Sequence, residues 1–173
     1  MHCVKKKILV SRYSTLTCVT NSKQQTSEME INENGFVFSD DINKIDPVAV
    51  HHYLSTASYW AQEIPFEVVV KSIENSLCFG IYKDGKQIGF ARWVTDKATF
   101  AHLADVYILE QYRGLGLSKK LMSLMVFHKD LQGLRRYQLA TRDAHGLYSQ
   151  YGFKSLEDPE TMMAIVIKNA YKK

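Results

Sequence analysis

The sequence predicts an α/β (α+β) domain in which strands and helices interleave, on three observations. Leu77 to Lys83 and Gln87 to Thr95 are apolar runs on either side of Asp84-Gly85, a dipeptide that accepts the positive φ angles of a tight hairpin. Phe100 to Leu109 is a further apolar strand that passes through Arg113-Gly114-Leu115-Gly116 into a helix with Leu117, Leu121, Leu124 and Met125 on one face. Asp46-Pro47 opens an earlier helix, with Asp as N-cap and Pro at the first helical position.

Taken in order, Phe36-Val37-Phe38 is the first strand, and the helix opened by Asp46 runs to about Ala57. Ser58-Tyr59-Trp60 follows as a link. A second helix begins near Pro65, carries Val69 and Ile73 one turn apart, and ends near Asn75. The hairpin about Asp84-Gly85 and the strand from Phe100 come next, then the helix from Gly116 to about Lys129. Beyond it, Leu139 opens a strand, a short helix carries Tyr148, and Met162 to Ile167 closes the sheet.

The turn at residues 113–118 makes a seat for a phosphate. A helix starting near Gly116 presents its first backbone N–H groups without intrahelical partners, and its macrodipole adds about half a positive charge there. Glycine lets an anion approach the backbone closely. A nucleotide P-loop would need G-x-x-x-x-G-K-[ST], which is absent. A dinucleotide fingerprint fails as well, because Lys119 stands where the third Gly belongs. Arg113-Gly114-Leu115-Gly116-Leu117-Ser118 instead resembles the [Q/R]-x-x-G-x-[G/A] signature of the GNAT superfamily of acyl-CoA-dependent N-acyltransferases, with Ser118 where Gly or Ala is usual. About thirty residues on, Leu139 to Phe153, with Tyr148 before Tyr151-Gly152-Phe153, resembles that family's second hallmark.

The resemblance covers roughly Asn32 to Lys168 and implies a mixed, mostly antiparallel sheet of six to seven strands flanked by about four helices. It implies acetyl-CoA as acyl donor, no metal, and direct attack by an amine in a ternary complex. Carried over by position, Arg113, Gly114, Leu115, Gly116, Leu117, Ser118 and Lys119 hold the diphosphate, with Lys120 beside them. Val106, Tyr107 and Ile108 meet the pantetheine arm with their backbones, which pair with it like an added strand. An N–H near Ile108 polarises the thioester carbonyl, an effect of about 3 kcal/mol for one well-aimed donor. Asp143 stands where Asn is usual, and a carboxylate cannot donate as an amide does. Tyr148 is the expected general acid for the departing thiolate.

An amine acceptor arrives as ammonium and must lose a proton before it attacks. Asp105, His102 and Glu110 are the candidate bases, with Asp105 ranked ahead of His102. The resemblance implies an acceptor site built from the first two helices, their link and late strands, which points to His51, His52, Tyr53, Tyr59, Trp60 and Phe66; helical spacing assigns Tyr53 to the core, and aromatic faces such as Tyr59 and Trp60 suit an apolar amine or a cation. No acidic cluster there favours a polycation. A non-catalytic acyl-CoA sensor is the alternative, and retention of Tyr148 favours the enzyme.

Composition bounds the rest. With 173 residues, 46% of them apolar, the chain can bury the core of one domain, expected over residues 29–173. The net charge of +4 is carried by the first 28 residues, with Lys5, Lys6, Lys7, Arg12 and Lys23 against Glu28, so the remainder is balanced and offers no nucleic-acid footprint. Residues 1–28 lack hydrophobic periodicity and read as a flexible extension. Lys5-Lys6-Lys7 before Ile8-Leu9-Val10 only faintly imitates a signal sequence, since Arg12 interrupts the apolar run. Cys3, Cys18 and Cys78 give an odd count without metal spacing, which fits reduced thiols in a cytoplasm. No run is long enough to span a bilayer, so a cytoplasmic monomer or homodimer acting on a small-molecule or peptide amine is expected.

Overall fold

The computed structural model describes residues 28–171; the expected extension, Cys3 and Cys18 lie outside the described residues apart from Glu28 itself. Six strands form one sheet in sequence order: β1 (Glu30–Glu33), β2 (Phe36–Ser39), β3 (Leu77–Lys83), β4 (Lys86–Thr95), β5 (Phe100–Ile108) and β6 (Arg136–Leu139). All neighbours run antiparallel except β5 and β6, which are parallel. The helices are α1 (Pro47–His52), α2 (Phe66–Glu74), α3 (Leu117–Val126) and α4 (His145–Tyr148). This is the expected mixed sheet with four helices.

Local chemistry explains the elements. Asp84 and Gly85 turn the β3–β4 hairpin at φ +50° and +74°, as the dipeptide predicted, and Asn34-Gly35 does the same for β1–β2 at +54° and +74°. Strand β1 was not foreseen, because Glu30, Asn32 and Glu33 carry no apolar alternation. Asp46 Oδ1 accepts from the N–H groups of Val48 and Ala49 at 2.9 and 3.1 Å, a cap that contributes about 1 kcal/mol. After His52 the helix widens into a π turn over Tyr53–Ala57.

The sheet is covered on both faces. Helix α3 packs Leu117, Leu121, Met122 and Met125 with Phe79, Ile81, Trp93 and Leu103 on one face. Helix α1, the π turn after it and α2 pack Val50, Leu54, Val69 and Ile73 with Cys78, Phe90 and Tyr107 on the other. Cys78 is a packed thiol, as its strand position predicted, and burial pushes it up to about 12.

Three expectations need correction. Strand β6 ends at Leu139 instead of opening there, because its pairing with β5 runs from Phe100–Arg136 to Leu103–Leu139. Helix α3 stops at Val126 rather than Lys129, where His128 turns the chain by accepting from the Asp130 N–H at 3.2 Å and pairs with the buried Asp40 at 2.9 Å. Met162 to Ile167 forms no strand: Met163 is 95% and Ile165 97% exposed. β-propensity expresses packing against neighbours, and no described strand pairs with this segment.

Candidate functional site

A β-bulge in β5 creates the site. The register with β4 slips between Phe90–Tyr107 and Arg92–Ala104, and Asp105 takes φ +54° at the slip. The extra residue reverses the phase of the strand. Ala101 and Leu103 join the core under α3, whereas Tyr107 joins the core under α1 and α2.

Past the bulge, β5 also loses its other neighbour. Strand β6 pairs only with Phe100 to Leu103, so the edge of β5 from Ala104 to Ile108 faces open space. The N–H of Leu109 bonds to the Ile88 carbonyl of β4 at 2.9 Å. Strand alternation then turns the N–H groups of Ile108 and Val106 towards the open edge and that of Tyr107 back towards β4. Between this edge and residues 140–144 lies a cleft of about 890 Å³, which Ser118, Leu147 and Tyr148 also line.

One end of the cleft meets the start of α3. Gly114 and Gly116 hold φ +80° and +77°, and Gly116 caps α3 with its backbone alone, no side chain accepting from the first N–H groups. A Cβ at either glycine would meet nothing within 4 Å, so the turn is open on its outer side. Uncapped donors, a helix dipole and an unobstructed backbone suit a diphosphate. Leu117 is buried in the core, Leu115 projects outwards, and Lys120 is paired with Glu33. Arg113 bends inwards instead of outwards. Its Nε donates to the Ile108 carbonyl and its Nη2 to the Tyr53 hydroxyl, both at 3.2 Å, which braces the turn against β5.

Asp105, on the cleft wall, forms an ion pair with Arg92, a partner that the sequence did not identify. Arg92 Nε donates to Asp105 Oδ2 at 2.6 Å, and Arg92 Nη1 donates to Ser76 Oγ at 3.0 Å. Trp60 Nε1 donates to Asp105 Oδ1 at 3.0 Å. Both carboxylate oxygens are therefore engaged. His102 lies beside Gln138 with its Nδ1 3.3 Å from the amide nitrogen, and its pKa is lowered, first by burial and then by the Arg92 charge. A depressed imidazole is neutral at neutral pH and can take a proton.

Tyr148 ends α4 with its ring edge-on to Phe153 at 6.1 Å. Its hydroxyl makes no hydrogen bond among the described residues. Burial pushes its pKa up to about 12, with Tyr59 and Asp143 adding to the rise. Tyr59 and Trp60 stand edge to face at 4.9 Å over the cleft mouth.

Of the residues singled out in the sequence, the cleft gathers Tyr59, Trp60, His102, Asp105, Val106, Tyr107, Ile108, Arg113, Ser118, Asp143 and Tyr148. His52 does not line it; it sits exposed at the end of α1, where its carbonyl accepts from Thr56 Oγ1 at 2.6 Å. Arg92, Ser76 and Arg142 went unnoticed, and Tyr53, assigned to the core from its helical spacing, stacks on Tyr107 and also lines the cleft. Only Arg92 had left a signal, a charge within the apolar run of β4.

Comparison with known proteins agrees with this geometry. A family model described as "Acetyltransferase (GNAT) domain" matches residues 74–155, from the end of α2 to just past α4. The crystal structure of a Xanthomonas campestris pv. campestris protein assigned to the GNAT family is 45% identical, with a TM-score of 0.78 over 80% of this chain and 97% of that one. A Gibberella zeae protein provisionally named an acetyltransferase is 29% identical over 131 residues, 63% of this chain and 73% of its own. A Clostridium acetobutylicum protein crystallised with acetyl-CoA shares the fold at 12% identity and a TM-score of 0.55, over 76% of this chain and 94% of that one.

Proposed function

The chain belongs to the GNAT acetyltransferase family, and on that premise we propose that it transfers an acetyl group from acetyl-CoA to a primary amine held at the mouth of the β5–β6 cleft. One observation carries the proposal: the unpaired edge of β5 leads directly to the uncapped N-terminus of α3. Acetyl-CoA supplies an activated acyl group as a thioester. The protein holds it with the N–H groups of α3 about Gly114, Gly116 and Ser118, and with the backbone of Val106 and Ile108 as one more strand.

Charge stabilisation falls to the backbone and proton handling to the side chains. The N–H groups turned towards the cleft at Val106 and Ile108 meet negative charge growing on the acyl oxygen. Tyr148 keeps its proton across the neutral range and offers a hydrogen bond to the departing sulfur. Its raised pKa makes full proton transfer to a thiolate of pKa near 8.5 uphill, so donation of a hydrogen bond outweighs acid catalysis.

His102 is the better proton acceptor, and this reverses the ranking drawn from the sequence. Asp105 is held by two donors and shapes the bulge, whereas His102 is kept neutral. His102 and Val106 lie four positions apart along the strand, about 13 Å, so the proton reaches it through water.

Following free CoA thiol with a panel of amines, amino acids and peptides tests the reaction, beside thermal-shift titration with acetyl-CoA, CoA and ATP. Stabilisation by acetyl-CoA and CoA, with amine-dependent thiol release, is expected. Binding without release for every amine would make the chain a sensor. Stabilisation by ATP and not by CoA would refute the donor.

A further inference from the structure

The two aromatic residues at the cleft mouth are already committed, and their partners say what the mouth can recognise. Trp60 is tied to Asp105 on β5, and Tyr59 lies under Arg142, whose guanidinium carbon stands 4.0 Å from the ring centroid. The pair therefore bridges the open cleft from β5 to the segment after β6. Tyr59 has no bare face for an acceptor cation on that side, because the protein's own cation occupies it.

Stacking uses the flat face of a guanidinium and leaves its N–H donors free at the rim. Arg142 makes no hydrogen bond or ion pair among the described residues, although it lines the cleft. Of the other charged residues that line it, Asp105 is neutralised by Arg92, which does not line the cleft, and Arg113 is turned onto Ile108 and Tyr53. Asp143, next in the chain, forms no ion pair with Arg142 and acts on Tyr148 instead. What remains is one pre-positioned fork of donors at the entrance for the acceptor, a geometry that matches a carboxylate in two-point contact.

We propose that Arg142, laid flat on Tyr59, binds a carboxylate on the acceptor, so that the amine acetylated is that of an amino acid or a similar amino-carboxylate. The inference rests on the acetyl-transfer reading for the role of the amine. Its recognition step can be measured without turnover.

Calorimetric titration of the CoA-loaded protein with the common amino acids, each beside its methyl ester, reads the carboxylate directly. Ethanolamine beside phosphoethanolamine supplies the phosphate arm. The best amino acid is expected to bind about tenfold or more tighter than its ester, as for a charge-assisted hydrogen-bonded pair. Arg142→Gln should bring that ratio close to one, Arg142→Lys should keep part of it, and Tyr59→Leu should weaken it by freeing the guanidinium. CoA affinity should stay at the wild-type value in Arg142→Gln, which also shows that the variant is folded.

An ester bound as tightly as every acid, or a preference that survives Arg142→Gln, overturns the proposal. So does tighter binding of phosphoethanolamine than of any carboxylate. A loss of CoA affinity in Arg142→Gln with amine selectivity intact would assign the residue to the donor and overturn it equally. Carboxylate-selective binding without thiol release would refute acetyl transfer while leaving the recognition by Arg142 standing.

Discussion

Asp105 meets Arg92 at 2.6 Å from a backbone position of φ +54°, so the residue that bends β5 is also the one that neutralises the only charge in the middle of β4. Geometry and electrostatics are joined at one side chain. Asp and Asn tolerate the left-handed region better than Ala. The two substitutions can therefore be told apart.

Asp105→Asn should keep the bulge but leave Arg92 largely desolvated without a counter-charge, at a cost of about 2 to 4 kcal/mol in unfolding free energy. Asp105→Ala should lose about 1 kcal/mol more through backbone strain. Denaturant unfolding of both variants measures the difference. Equal losses would mean that the strain is absorbed elsewhere. If Asp105 were the base, Asp105→Asn would also erase the acidic limb of the rate profile, and under the positioning role that limb keeps its place.

The acidic limb should belong to His102. Its pKa is lowered from the usual value near 6.5, so kcat/KM should hold as pH falls through 6.5 and decline only below it. Stability follows the same group. An imidazole with a depressed folded pKa has no effect above the unfolded value, where both states are neutral. Below it the unfolded chain binds the proton first, so stability falls until the folded pKa is passed. His102→Gln should flatten both curves on the acid side of pH 6.5. A limb that persists in His102→Gln would move the proton acceptor elsewhere.

Tyr148→Phe should lower turnover by about ten- to a hundredfold without abolishing it, the lower range for one donor to a leaving group. Because its pKa lies near 12, wild-type activity should show no alkaline decline from Tyr148 between pH 7 and 10. A wild-type profile that falls there, and no longer falls in Tyr148→Phe, would restore full proton transfer.

Much of this arrangement was readable in the sequence. The hairpin glycine, the Asp46-Pro47 start and the apolar face of α3 each act within a few residues; the first two appeared as expected, and on α3 Met122 is buried beside Leu117, Leu121 and Met125 while Leu124 is only half-buried. The 113–118 turn and Tyr148 were legible because a motif marks them. The Arg92–Asp105 pair and the Arg142–Tyr59 stack were not, since they join residues 13 and 83 positions apart through a bulge and a loop that no local pattern encodes. The bulge is what sends Val106 and Ile108 to the open edge, and a run of apolar residues looks the same with or without it.

Gly116→Ala separates the donor seat from the fold. At φ +77° an added Cβ costs about 1 to 2 kcal/mol in backbone strain, yet within the protein it would meet nothing within 4 Å. The added methyl would stand in open space at the turn on which the diphosphate is expected to sit. CoA affinity should therefore fall about tenfold or more, against a melting temperature lowered by only a few degrees. A lower melting temperature with unchanged CoA affinity would show that the turn is structural. Ser118→Ala and Ser118→Gly should leave affinity near the wild-type value, since the backbone N–H survives in both.

The C-terminal stretch tests whether exposure in the folded chain is also exposure in solution. Met163 and Ile165 stand almost fully free, so Met163→Ser with Ile165→Ser should change unfolding free energy by no more than about 0.5 kcal/mol, as surface substitutions do. Their β-branched and apolar neighbours make the segment a competent strand if an edge is offered. Strand β6, whose outer edge pairs with no described strand, offers such an edge, and Arg136 on it already touches the Met162 sulfur at 3.3 Å. A loss above about 1 kcal/mol in the double variant, measured by denaturant unfolding at two protein concentrations, would show that the segment is buried in solution. A loss that shrinks on dilution would place that burial between chains, and one that is constant would place it within a single chain.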